Sequence, residues 1–134
     1  MHRKRRIPRW MKFALAAVVL LAGIGAWSAV PYVVPFETLF RWSKPSLDAY
    51  AAKVMAPGST ALANPPSRLG YFNVIRTETL PHGFLFQHDS CNPFDWCGIA
   101  YSTEPLPEQE KDAKGEVKQK FTPLGGNWYD VFRP

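Results

Sequence analysis

From Phe13 to Phe36 the chain carries no charged residue, and this run, FALAAVVLLAGIGAWSAVPYVVPF, constrains what the remainder can become. As a helix its 24 residues reach roughly 36 Å at about 1.5 Å per residue, against a hydrocarbon core of about 30 Å. Eight Phe, Leu, Ile and Val side chains lie between Phe13 and Val30. At roughly −0.3 to −0.6 kcal/mol each they contribute about −2 to −5 kcal/mol toward insertion. The run therefore predicts a transmembrane anchor over residues 13–36, with Trp10 on one side and Trp27 and Tyr32 on the other placed like an aromatic belt.

Ahead of the run, residues 1–12 form a basic tail in which Arg3, Lys4, Arg5, Arg6, Arg9 and Lys12 meet no acid. The positive-inside rule places that tail in the cytoplasm and exports the chain beyond Phe36. The formal net charge of +5 belongs to this tail, because the other ten Lys and Arg nearly balance all eleven Asp and Glu. A basic tail leading into apolar sequence makes the lipid bilayer its partner and argues against nucleic acid. A cleaved secretory signal is the competing reading, with Phe13 to Gly25 as its apolar region and Ala26-Trp27-Ser28 as its cleavage site. Trp27 inside that site, and the apolar sequence beyond it, favour retention. Both readings export the rest of the chain.

After the run, residues 37–69 divide into an amphipathic helix and a linker. Ser43 or Ser46 caps the helix with Pro45 in its first turn, and Leu47, Tyr50, Ala51, Val54 and Met55 repeat at helical spacing. Pro57-Gly58 stops it, and Ala56 to Arg68 is small, polar and Pro-rich. Residues 70–134 then change period. Tyr71 to Thr79 and Phe84 to His88 flank the turn Leu80-Pro81-His82-Gly83, Gly98 to Thr103 forms a third strand and Trp128 to Phe132 a fourth. Glu104 to Lys120, dense in both charges, reads as a solvated insertion. The expected fold class is α+β: a transmembrane helix, a short amphipathic helix and a small antiparallel sheet of about four strands, with Tyr101 and Trp128 in its core.

The richest chemistry lies in Gln87 to Cys97, QHDSCNPFDWC. In an exported domain Cys91 and Cys97 form a structural disulfide, helped by the turn that Asn92-Pro93 favours. A metal site would draw on His88, Cys91, Cys97 and Asp89 or Asp95, but C-x5-C departs from metal-ligand spacing and the chain has no second cluster. Ser90 with His88 or His82 and Asp95 has the residue types of a hydrolase without the G-x-S-x-G elbow. His88, Asp89 and Asp95 are thus the site candidates, with no catalytic residue, metal or cofactor assigned.

Gly98-Ile99-Ala100-Tyr101-Ser102, a Pro-containing charged stretch and Leu124-Gly125-Gly126-Asn127-Trp128-Tyr129 together resemble a group of short uncharacterised bacterial proteins with a C-terminal AYS and LGGxWY signature. The resemblance covers about half the chain and implies a bacterial source and a compact C-terminal domain, with no activity attached. The expectation is a module of the bacterial cell envelope, at the inner membrane with its C-terminal domain periplasmic or extracellular, that supports or binds another envelope protein. The alternatives are a small envelope enzyme or metal-binding protein centred on His88 to Cys97, and a cleaved, secreted effector or inhibitor.

Overall fold

The computed structural model describes residues 9–91 and 95–134. Arg3, Lys4, Arg5 and Arg6, and the Asn92-Pro93 turn, lie outside the described residues. The chain divides into two units, Met1–Val33 and Val34–Pro134.

The first unit is helix α1, Arg9–Val33, whose Trp10, Phe13, Leu15, Val18 to Leu21 and Ile24 are all exposed. Here the expectation of a transmembrane helix is corrected: among the described residues no helix is long and apolar enough to cross a membrane. The uncharged run counted across a helix boundary, since α1 ends at Val33 and the next helix starts at Phe36. Within α1, Lys12 charges the first turns, and Ala14, Ala16, Ala17, Ala22, Gly23, Gly25 and Ala26 dilute its apolar surface.

In the second unit α2 spans Phe36–Met55 and the strands are β1 Arg68–Leu69, β2 Phe72–Leu80, β3 Gly83–His88, β4 Trp96–Ser102, β5 Gln109–Lys111, β6 Val117–Gly125 and β7 Trp128–Arg133. Pro35 fits the helix start because its fixed φ of −55° costs nothing there and its carbonyl accepts from Thr38 N and Leu39 N at 3.0 and 3.1 Å. Glu37 in the first turn and Lys53 in the last complement the helix dipole. The helix is longer than expected: Pro45 stands inside it, and Ser43 is buried and accepts from Tyr71 N at 2.9 Å instead of capping. Leu47, Tyr50 and Ala51 of the predicted stripe are buried, while Met55 is exposed.

The strands form one antiparallel sheet in the order β1-β2-β3-β4-β7-β6-β5. Among the described residues, seven strands replace the four expected. The missed β6 hides its pattern under charge: Lys118 and Lys120 point to solvent while Gln119 and Phe121 alternate inward, the period-two signature with lysine on its wet face. β5 pairs with β6 inside the stretch read as an insertion, and β1 is a two-residue strand at the end of the linker.

Register sorts the side chains onto two faces. One carries Phe84, Phe86 and His88 of β3, Ile99 and Tyr101 of β4, and Trp128 of β7. Against it lies α2: Tyr50 meets Phe84 edge-on at 5.4 Å, Phe40 meets Trp128 at 6.4 Å and Phe36 meets Phe72 at 5.7 Å. Where helix and sheet come closest, Gly70 adopts a φ of +60° beside Ser43, and a Cβ there would sit 2.5 Å from the Ser43 side chain. The opposite face has its own core of Leu85, Ala100, Phe121 and Val131, edged by Leu80, Trp96, Leu106 and Tyr129.

Of the two aromatics expected in the core, Trp128 is 1% exposed, while Tyr101 is half-buried against it at 5.0 Å. Trp128 also donates from Nε1 to Asp48 of α2 at 2.8 Å. Trp128→Ala should therefore cost about 3 to 5 kcal/mol in urea unfolding. Trp128→Phe, which keeps ring packing and loses the indole donor, should cost distinctly less.

Candidate functional site

The residues singled out by sequence fall around the β3–β4 connection. Cys91 and Cys97 are bonded, with Cα atoms 6.3 Å apart. The other candidates are held by unrelated neighbours. His88, at the end of β3, is 2% exposed and surrounded by the rings of Phe72 at 4.9 Å, Phe36 at 5.9 Å and Phe86 at 6.4 Å. Its Nδ1 accepts from Ser90 N at 3.2 Å, which leaves the neutral ring's proton on Nε2, and that atom has no hydrogen-bond partner among the described residues. Asp89 Oδ2 accepts from Asn73 Nδ2 at 2.8 Å, and Asp95 is exposed.

This geometry does not build the chemistry that the residue types suggested. Ser90 meets His88 through its amide, not its hydroxyl, so the imidazole does not activate a nucleophile. His82 pairs with Glu104 at 3.2 Å on the exposed hairpin turn. Among the described residues no three His, Cys, Asp or Glu side chains gather as a metal site. Among the described residues, Ser90 Oγ, Asp89 Oδ1 and Trp96 Nε1 are buried without hydrogen-bond partners, as His88 Nε2 is.

A second location, which no sequence motif marks, has more structure. Glu78 of β2 takes both guanidinium arms of Arg133 of β7, at 3.1 and 2.7 Å. On a flat sheet Glu78 and Arg133 would stand three strand spacings, roughly 14 Å, and by register four residues, roughly 13 Å, apart, so the fork–fork contact requires the sheet to curl toward the face carrying Leu85 and Val131. The curl encloses a groove of about 400 Å³. Leu80, Leu85, Leu106 and Phe121 supply its apolar lining, and Glu78, Glu110, Lys118, Gln119 and Arg133 its polar one.

Arg133 is the hub of the polar side. Its Cζ lies 3.8 Å from the Trp96 ring centroid, and its Nε donates to Gln119 Oε1 at 3.1 Å. Gln119, itself buried, donates through Nε2 to Glu110, which also accepts from Lys118 Nζ at 3.1 Å. The Arg133 hydrogen bonds hold the Glu78 carboxyl below the ordinary range. At Glu110 burial opposes ionisation, but hydrogen bonds from Lys118 and Gln119 outweigh it and lower the pKa. Both carboxylates are thereby held ionised, the reverse of what a general acid near neutrality needs.

Two titratable groups on the helix-facing side move upward: burial raises the pKa of Tyr50 and that of Asp130, the latter partly offset by the hydrogen bond from Val131 N. No family model, curated protein or solved structure matches the chain.

The buried imidazole gives a pH prediction. Desolvation lowers the His88 pKa to about 4, and the nearby Asp89 charge only partly opposes it. The unfolded chain, with His near 6.5, binds the proton first, so this contribution is full above pH 6.5 and is lost as pH falls toward 4. The loss amounts to about 3 kcal/mol. His88→Phe should flatten that limb when unfolding free energy is measured from pH 7.5 to 4; an unchanged slope would assign the acid sensitivity elsewhere.

Proposed function

We propose that this chain is an exported interaction module of the bacterial cell envelope whose groove receives a segment of another envelope protein. The observation that carries this reading is the curled face: an apolar floor ringed by charges already neutralised by one another. Such a surface favours docking, because a ligand gains burial against Leu80, Leu85, Leu106 and Phe121 without stripping water from an unpaired charge. With both carboxylates held ionised, the groove offers no general acid near neutrality.

Export is supported by the Cys91–Cys97 bond, since disulfides persist in oxidising compartments. The basic and apolar N-terminal sequence supplies the targeting signal, and lipid is the partner of the apolar surface of α1.

Two measurements test the proposal. Alkaline phosphatase fused after Pro134 should be active outside the cytoplasm, and a fusion active only as a cytoplasmic reporter would defeat the export reading. A photo-crosslinking amino acid at Leu106, on the groove, should trap a discrete partner in intact cells, whereas the same group at Lys114, in the exposed β5–β6 turn, should not. Equal trapping from both positions would remove the groove from the proposal.

A further inference from the structure

β1 covers only the first residues of β2, through the pairs Leu69–Phe72 and Arg68–Asn73, with Ser67 O accepting from Val74 N at 2.9 Å. Beyond Val74, among the described residues, no main-chain hydrogen bond reaches β2 from the side away from β3. The direction of its free groups follows from the ladder. Ser102 N bonds Asn127 O, so Ser102 and Ala100 of β4 address β7, while Tyr101 and Ile99 address β3. Phe84 and Phe86 therefore bond to β4, and Leu85 and Gly83 bond to their partners Glu78 and Leu80. The amides and carbonyls of Thr77 and Thr79 are left facing the open edge. The Thr77 hydroxyl donates to Leu62 O at 3.2 Å, a side-chain bond that uses neither its amide nor its carbonyl. An unpaired edge of this kind is a template for another strand.

The sequence along that edge, Ile75-Arg76-Thr77-Glu78-Thr79, is self-complementary when reversed. We propose that β2 pairs antiparallel with β2 of a second copy of this chain, with a two-fold axis at Thr77. Thr77 then faces Thr77 of the other copy as a hydrogen-bonded pair. Arg76 faces the other copy's Glu78 twice over, in non-hydrogen-bonded pairs where side chains approach most closely. A slip that centres Thr79 instead sets Glu78 against Leu80 and loses both charge pairs. The required side chains are accessible: Ile75 is 57% exposed, and the Arg76 side chain is 55% exposed and pairs with Glu78 of its own strand at 3.0 Å. A two-fold contact of this kind is isologous and closed, so it ends at a dimer and occupies the edge that would otherwise aggregate.

The proposal does not rest on the groove reading, although Glu78 belongs both to the groove rim and to the strand edge, because it needs no other protein. The test uses the full chain in detergent. Its mass by light scattering should be that of two chains. Because Cys91 and Cys97 are bonded to each other, a cysteine introduced at Thr77 is the one free thiol among the described residues. Thr77→Cys should crosslink two copies on mild oxidation, as a hydrogen-bonded pair places Cα atoms about 5.5 Å apart, within disulfide reach. Thr79→Cys should not, because its equivalent lies four residues along the strand.

Arg76→Glu and Glu78→Arg should each weaken association about tenfold or more by turning two attractive pairs into repulsive ones. Mixing the two variants should restore a heterodimer in which every charge is again opposed. The mixture also answers for Glu78→Arg, whose loss of the Arg133 contact alone would not be cured by a partner. A monomer by mass, crosslinking as efficient at Thr79 as at Thr77, or a dimer indifferent to both charge changes, as association through α1 would give, overturns the proposal.

Discussion

The layer of aromatic rings between α2 and the sheet is the contact on which the unit Val34–Pro134 depends. Phe84 and Phe86 of β3 and Trp128 of β7 project to one side of the sheet across β4, and without a cover they would leave a broad apolar face in water. The helix supplies Phe36, Phe40, Leu47 and Tyr50 to meet them, mostly in tilted or edge-on geometry that suits the ring quadrupoles. Two details set its position. Ser43 against Gly70 removes side-chain bulk where the backbones approach, and Asp48 receives the Trp128 indole proton. Burial raises the cost of an ionised Asp48, yet bonds from Lys44 and Trp128 prevail and keep its pKa low. The same layer closes over His88, so the residue most suggestive of chemistry is spent on packing.

The opposite face is shaped by electrostatics as much as by apolar packing. Arg133 joins β7 to β2 through Glu78 and to β6 through Gln119, and the chain of contacts continues to Glu110 on β5. A guanidinium suits this position because its planar fork satisfies a carboxylate bidentately while its face stacks on Trp96. Lysine offers the charge without either geometry. The curl, the groove and the ionised state of Glu78 follow from one residue's set of bonds, while Lys118 and Gln119 hold Glu110 ionised.

How much of this was legible depended on whether the signal was local. The hairpin Leu80 to Gly83, the strand through Ala100 and Tyr101, the last strand at Trp128 and the disulfide all announce themselves within a few residues, by alternation, turn chemistry or the close spacing of two cysteines. Charge misled twice. Lys118 and Lys120 concealed a strand by looking like a solvated loop, and the absence of charge from Phe13 to Phe36 concealed a helix boundary at Val33 and so overstated the length of a single apolar helix. The groove was invisible for a different reason: Glu78 and Arg133 are 55 positions apart, and their meeting depends on a strand order in which β7 lies between β4 and β6. No spacing rule encodes that.

The disulfide gains a more specific meaning from these connections. It closes a loop of seven residues, for which chain entropy gives only about 2 kcal/mol, so global stability is a poor account of its placement. Cys97 sits one residue after Trp96, and the β4–β7 register sets Trp96 opposite Arg133 and Cys97 opposite Phe132. Fixing Cys97 to Cys91 therefore holds the start of β4, and with it the indole on which the Arg133 guanidinium lies. Arg133 in turn holds Glu78 and Gln119 at the groove. An oxidised cysteine pair on the side facing α2 thus helps to pre-organise the polar side of the groove on the other, one residue and one face away.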